Sequence, residues 1–178
     1  MSLAREMLEK AVNQMRENYP DYQFMTRRDI AWVLQKAIRA LIEKEGYPFE
    51  VYHSFPLVRD RQAIKDYELA IVAQGVSYRE LLSKEVPVEL VVRLLFEPSR
   101  HRKDICEYCL PYVLSSTITN EIKELQVLKE NRWAKETRLL LIDEASRHDT
   151  TSFDQLVTRS SWGDYGDIGL NVSVLEVS

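Results

Sequence analysis

Residues 65–98 read KDYELAIVAQGVSYRELLSKEVPVELVVRLLFEP and contain two apolar runs, at 69–73 and 88–96. Both runs are rich in Val, Ile and Leu and are bounded by polar or turn residues. This pattern is typical of strands that are buried on both faces at the centre of a sheet. An alternating pattern would instead have indicated one face in solvent. The stretch therefore predicts two central strands.

The few charges within these strands indicate a site. If the strands are regular, one face of the first carries Asp66, Glu68, Ala70 and Val72, and one face of the second carries Glu89, Val91, Arg93, Leu95 and Glu97. A charge that is buried without a partner is strongly destabilising. We therefore expect a functional site, present or ancestral, where these two strands meet.

Composition restricts the class of protein. The chain has 178 residues, a hydrophobic fraction of 45% and a net charge of −4, which are typical of one globular domain. No apolar run approaches the length of a membrane span, and the first residues lack the apolar core of a signal peptide. We expect a cytoplasmic protein with no membrane partner. Nucleic-acid binding would need a local basic patch.

The remaining pattern predicts the order of the elements. It indicates helices at 3–18, 27–45 and 119–131, a further helix from about 100 to Pro111, and strands at 49–57, 66–73, 88–96, 137–142 and 168–177. The segment 145–169 is read mostly as loop, and the final strand is placed at a sheet edge. Thr26 is the expected N-cap of the second helix, and Gly46 its left-handed C-terminal residue.

This order predicts a single α/β domain with a mixed central sheet flanked by helices. A helical extension occupies 1–20, a core occupies 26–145, and a loop with the last strand occupies 146–178. The leading helix and the last strand carry apolar residues that one chain would leave uncovered. We therefore expect a homodimer.

Five short motifs follow one another along the chain. They are Arg27-Arg28-Asp29, Glu68-Leu69-Ala70-Ile71, the stretch RLLFEPS at 93–99, LIDE at 141–144 and Trp162-Gly163. Their order resembles the PD-(D/E)xK nuclease-like superfamily, and within it a poorly characterised group of mostly bacterial proteins. The resemblance implies a restriction-endonuclease-like αβββαβ core with an extra N-terminal helix and C-terminal strand.

The same resemblance implies an ancestral Mg²⁺ site. In the superfamily, an Asp on the second strand and a (D/E)-x-K motif on the third hold the metal and position a water. The equivalent positions here are Glu68, Arg93 and Leu95. An arginine cannot ligate Mg²⁺ and a leucine cannot orient water. The expected state is a degenerate site with no metal cofactor, in which Arg93 pairs with Glu68.

Two functions are compatible with this sequence. The first is a non-catalytic binding or regulatory module, whose protein partner the sequence does not name. The alternative is a Mg²⁺-dependent nuclease with relocated groups, in which Asp66 and Glu68 would hold the metal.

Several further residues could contact ligands. The basic run Arg100-His101-Arg102-Lys103 follows Pro98-Ser99 at an expected helix start, and is either a phosphate contact or a solvated turn. Cys106 and Cys109 are interpreted as helix residues, with a redox pair or half a metal site as the alternative. Trp32, Trp133 and Trp162 are interpreted as packing residues. His148, Asp149, Asp164 and Asp167 are assigned no role.

Overall fold

The computed structural model describes residues 2–22, 24–59, 62–99, 112–153, 157–165 and 170–177. Within these ranges the helices are α1 (Leu3–Glu17), α2 (Arg27–Glu45), α3 (Tyr78–Leu82) and α4 (Ser115–Glu130). The strands are β1 (Phe49–Arg59), β2 (Gln62–Ala73), β3 (Val88–Glu97), β4 (Ala134–Asp143), β5 (Val157–Tyr165) and β6 (Leu170–Val177).

The strands form one mixed sheet in the order β1-β2-β3-β4-β6-β5. β3 and β4 are parallel, and the other neighbouring pairs are antiparallel. α2 packs against β1, β2 and β3. The expected α/β class with a mixed sheet is confirmed, and the elements from α2 to β4 follow the order αβββαβ, apart from the short α3.

Buried side chains cover both faces of the central strands, as the two apolar runs predicted. On one face, Ile30, Leu34 and Ile38 of α2 pack in a core with Leu69 and Leu94. On the other face, Ile118 and Leu125 of α4 pack in a second core with residues of β2, β3 and β4, including Ala70, Leu95, Leu139 and Leu141. This two-sided burial explains why β2 and β3 do not alternate between apolar and polar residues.

The ends of α2 are fixed by the residues that the sequence indicated. The Thr26 side chain accepts a hydrogen bond from the backbone N–H of Arg28 at 3.2 Å, and the Asp29 carboxylate accepts one from the N–H of Thr26 at 2.7 Å. This reciprocal capping box satisfies N–H groups that the first turn leaves free. At the other end, Gly46 has φ of 69°, the left-handed conformation that glycine adopts without strain.

The C-terminal part of the chain differs from expectation in two ways. Part of 145–169 is not loop but the strand β5, and β6 is not at an edge because it lies between β4 and β5. β5 has exposed polar residues from Thr158 to Ser161, as befits an edge strand with one hydrogen-bonded neighbour. Its anchor is Trp162, which is buried and meets the Tyr19 ring edge-on at 5.5 Å.

The surfaces that suggested a dimer are covered within one chain. Met7, Leu8, Ala11 and Met15 of α1 are buried, as are Val172, Val174, Leu175 and Val177 of β6. The homodimer therefore stays a prediction without that support. None of the helices in the described part of the chain has the length and apolar character needed to span a membrane.

Candidate functional site

β2 and β3 are paired over only a short distance, and the site lies where they separate. Their register runs from Ile71 opposite Leu90 to Leu69 opposite Val92. Directly beyond this segment, the Glu68 carboxylate accepts a hydrogen bond from the backbone N–H of Leu94 at 3.0 Å. The Glu68 side chain therefore takes the place of a strand partner and is held inside the protein, with 7% of the residue exposed.

Arg93 of β3 lies between two carboxylates. Its Nη1 donates to Glu68 Oε1 at 3.1 Å and to the backbone oxygen of Asp66 at 2.7 Å. Its Nε and Nη2 donate to the two oxygens of Glu121 on α4, at 2.8 and 3.0 Å. The predicted Glu68–Arg93 ion pair is confirmed. We refer to Glu68, Arg93 and Glu121 as the arginine cluster.

Two more cations close the arginine cluster toward solvent. Arg27 Nε lies 3.2 Å from Glu68 Oε1. Lys65 Nζ lies 2.7 Å from Glu121 Oε2 and also contacts the Glu124 carboxylate. Because Arg27 has 49% of its side chain exposed and Arg93 only 5%, the central contact is the desolvated one. Charge-assisted hydrogen bonds are strongest in such surroundings.

The pKa shifts reflect the same pairing. Burial alone would lower the pKa of Arg93, but the hydrogen bonds and charges of Glu121 and Glu68 outweigh burial and raise it. Burial alone would raise the pKa of Glu121, but hydrogen bonds from Arg93 and Lys65 reverse the shift and lower it. Both groups are therefore held in their charged forms.

The third position that the resemblance singled out, Leu95, contributes no polar group. Leu95 is 4% exposed and belongs to the apolar core beneath α4. Asp66 is exposed, and only its backbone oxygen contacts Arg93. Within the described ranges, no group of three or more His, Cys, Asp and Glu side chains is arranged to hold a metal ion.

Glu121 was missed by reasoning from the sequence, although a signal for it exists. On α4, the spacing Ile118, Ile122 and Leu125 defines the side that faces the sheet, and Glu121 falls on that side. An acidic residue in an apolar stripe requires a buried cation, and Arg93 is that cation. The sequence alone gave Glu68 on β2 as the partner of Arg93 but did not indicate the carboxylate on α4.

The expected strand alternation in β2 is wrong at one point. Tyr67 packs in the same core as Ala70 and Val72, which a regular strand would place on the opposite face. The irregularity coincides with Ser54 on β1, which has φ of 54° and lies between the pairs His53–Leu69 and Phe55–Tyr67. This irregularity places the Tyr67 ring beside Arg93, whose guanidinium carbon is 5.5 Å from the ring centroid.

A second group of buried carboxylates lies at the ends of the parallel strands β3 and β4. Glu97, Asp143 and Glu144, which we call the strand-end cluster, are each at most 3% exposed. Glu97 accepts from the backbone N–H of Val113 at 2.5 Å and from Arg147 at 2.7 Å.

The other two acids of the strand-end cluster are held by hydrogen bonds as well. Asp143 accepts from the backbone N–H groups of Ala145 and His148, at 3.1 and 2.8 Å. Glu144 accepts from the N–H of Ser99 at 3.0 Å and from the Tyr19 hydroxyl at 2.8 Å. The motifs at 93–99 and 141–144 therefore meet in space, where their acids fix the path of the chain.

The remaining predicted residues have different outcomes. Arg100, His101, Arg102, Lys103, Cys106 and Cys109 lie outside the described residues, and so does Asp167. Trp162 is a packing residue, and Trp133 is half-buried against the α4 core. The same prediction is wrong for Trp32, which is 56% exposed on α2.

Comparisons of this chain with protein-family models, with curated proteins and with solved structures gave no match. The function is therefore inferred from the geometry of the sites.

Proposed function

We propose that this protein is a non-catalytic module with a nuclease-like fold, in which an internal arginine replaces the divalent cation of a degenerate site. One observation carries the proposal: the Arg93 guanidinium contacts both Glu68 and Glu121, at 3.1 and 2.8 Å. The module would act in the cytoplasm by binding or regulating a partner.

A divalent cation and the Arg93 guanidinium cannot both lie beside Glu68. Mg²⁺ needs several oxygen ligands at close range, and it is repelled by a fixed positive charge. Glu68 Oε1 already faces Arg93 and Arg27, and its Oε2 accepts from the Leu94 N–H. A metal at Glu68 would have to displace these partners.

The relocated-nuclease alternative finds less support. Asp66 is exposed, and in the described part of the chain its carboxylate makes no contact with the arginine cluster. Glu68 is buried, and both of its carboxylate oxygens accept hydrogen bonds. The two acids that approach one another through Arg93 are Glu68 and Glu121. They are joined by a cation that cannot act as a Lewis acid.

Metal titration tests the proposal directly. Calorimetry with Mn²⁺ and Mg²⁺ should show no binding that depends on Glu68, and labelled single- and double-stranded DNA and RNA should remain intact. The matched variant Arg93→Glu with Leu95→Lys supplies a carboxylate and a lysine at the same positions, and should gain metal affinity if it folds. Metal binding by the native chain that is lost in Glu68→Gln would overturn the proposal.

Nucleic acid is the candidate partner that the sequence suggests, through Arg100, His101, Arg102 and Lys103. At the helix start that the sequence predicts there, these cations would favour phosphate. Binding at two salt concentrations would test this contact, with charge reversal of Arg100, Arg102 and Lys103 as the variant. Light scattering on the same samples would test the homodimer.

A further inference from the structure

The outer face of α2 carries an exposed tryptophan among cations. Arg28, Trp32, Lys36 and Arg39 are separated by three or four residues, so they lie on one side of the helix. All four are exposed, Trp32 to 56%. The opposite side of α2 carries Ile30, Leu34 and Ile38 and already secures the helix to the sheet. Trp32 is therefore not needed for the fold.

The three cations of this face, Arg28, Lys36 and Arg39, are exposed on α2. In the described part of the chain, no carboxylate forms an ion pair with Arg28, Lys36 or Arg39. The acidic residues of α2 have their own positions and contacts. Asp29 closes the capping box, Glu45 binds Lys10 and Tyr47, and Glu43 lies in the last turn. The chain as a whole has a net charge of −4, so this is a local positive surface.

Trp32 and Lys36 are already arranged together. Lys36 Nζ lies 3.9 Å from the centroid of the Trp32 ring. The ammonium lies over one face of the ring and keeps its charge. A ligand that approaches Trp32 therefore meets a positive charge at the ring, and a base stacks on the other face or takes the place of Lys36.

We propose that Arg28, Trp32, Lys36 and Arg39, the α2 outer face, bind a short segment of single-stranded nucleic acid. The cations would contact successive phosphates, and Trp32 would stack on an unpaired base. From Arg28 to Arg39 the face extends about 16 Å along the helix, which suits a few nucleotides. Duplex DNA fits less well, because its bases are not accessible to an aromatic ring on a straight helix.

Charge and shape favour this ligand over a membrane or an acidic peptide. A membrane-binding helix presents a broad apolar face, whereas this face has one aromatic residue surrounded by charges. An acidic peptide would satisfy the cations but would leave the exposed ring without a specific role. Single-stranded nucleic acid uses both features.

The inference names a partner surface for the binding module proposed above and rests on that proposal. The two can still be tested separately. Binding to the α2 outer face is measured in the presence of EDTA, so it does not depend on a metal. Cleavage of the same oligonucleotide after addition of Mg²⁺ would overturn the non-catalytic module but not the binding surface.

The test is a titration of the full chain with a fluorescein-labelled oligothymidylate, followed by anisotropy and by tryptophan fluorescence. Three phosphate contacts predict a slope of log K against log salt of about −2, since each contributes about −0.7 for a single strand. Trp32→Ala should weaken binding by roughly 5- to 150-fold, the range for one base–aromatic stack. Trp32→Phe should retain part of the affinity and abolish the ligand-induced quenching.

The matched control makes the same charge change on another helix. Lys36→Glu with Arg39→Glu should strongly weaken binding, whereas Lys123→Glu with Lys129→Glu, both exposed on α4, should leave most of it. Thermal melting should be nearly unchanged in all of these surface variants. Equal losses in the two pairs, or unchanged affinity in Trp32→Ala, would overturn the inference. Trp32-dependent binding to phosphatidylserine vesicles without binding to the oligonucleotide would overturn it as well.

Discussion

The arginine cluster and the strand-end cluster bury carboxylates in two different ways. Glu68 and Glu121 are 7% and 8% exposed, and a guanidinium joins them. Asp143 is 1% exposed and is held by two backbone N–H groups. In the first cluster the compensating groups belong mainly to side chains, and in the second they belong largely to the backbone.

This difference separates a site from a structural element. Backbone N–H groups are present in any sequence, so the strand-end cluster depends largely on the chain turning back beside its own acids. The arginine cluster depends on one residue, because among the described residues only Arg93 touches both glutamates. One substitution at position 93 therefore changes the chemistry of the cluster, whereas no single described residue contacts all three acids of the strand-end cluster.

The largest effect is expected from Arg93→Ala. It leaves Glu68 and Glu121 buried without their common cation and should reduce the free energy of unfolding by about 3–5 kcal/mol. Urea denaturation followed by circular dichroism measures the loss. Lys65→Ala is the matched control, because Lys65 contacts Glu121 from the solvent side and should cost at most about 1 kcal/mol.

A double variant decides whether the cost comes from the orphaned charge. Arg93→Met with Glu121→Leu removes both members of the bidentate pair and replaces them with apolar side chains. This variant should be more stable than Arg93→Ala, since it removes the Glu121 carboxylate and leaves only Glu68 without Arg93, still in contact with Arg27 and the Leu94 N–H. If both variants lose the same free energy, packing rather than charge holds the cluster together.

The second effect is expected from Asp143→Ala. Two backbone N–H groups, those of Ala145 and His148, would lose their acceptor next to the buried end of β4. Leaving them unsatisfied should cost about 1–3 kcal/mol, again measured by urea denaturation. Asp149→Ala, an exposed acid one residue after His148, is the control and should have little effect. A loss above that for Arg93→Ala would reverse the contrast between the clusters.

Much of the fold could be predicted from the sequence because its signals are local. The two apolar runs place β2 and β3 at the centre of the sheet, and Thr26 and Gly46 fix the ends of α2. β5 could not be predicted in this way. Its polar residues are those of a loop, and its pairing with β6 depends on Trp162 packing against Tyr19 from the other end of the chain.

The arginine cluster was only half predictable for a similar reason. The pairing of Glu68 with Arg93 followed from the need of two buried charges for one another. Glu121 comes from α4, and its role depends on how that helix rests on the sheet. The exposure of Trp32, by contrast, could have been predicted, because its spacing places it with Arg28 and Lys36 on the side opposite the apolar stripe of α2.

The smallest expected effect is on the pH dependence of stability. It should have opposite signs for Glu121 in the arginine cluster and Asp143 in the strand-end cluster. Arg93 and Lys65 lower the pKa of Glu121 in the folded protein against the effect of burial, so its carboxylate stabilises the fold above its unfolded pKa of about 4.3. That stabilisation is lost as the pH falls through the lower folded value. Burial raises the pKa of Asp143, only partly offset by the hydrogen bond from the His148 N–H. Its ionisation therefore costs stability as the pH rises from about 3.9 through the folded value, and acid restores it.

Urea denaturation at about pH 7 and about pH 4 can resolve these opposite signs. The stability advantage of the native chain over Glu121→Gln should shrink toward acid, because protonation removes the charge that Arg93 pairs with. Its advantage over Asp143→Asn should grow, because the buried Asp143 carboxyl becomes neutral. Measuring differences against each variant cancels the many exposed acids that titrate in the same range. If both differences change in the same direction with pH, Asp143 is held as a charged partner like Glu121, and the distinction between the two clusters fails.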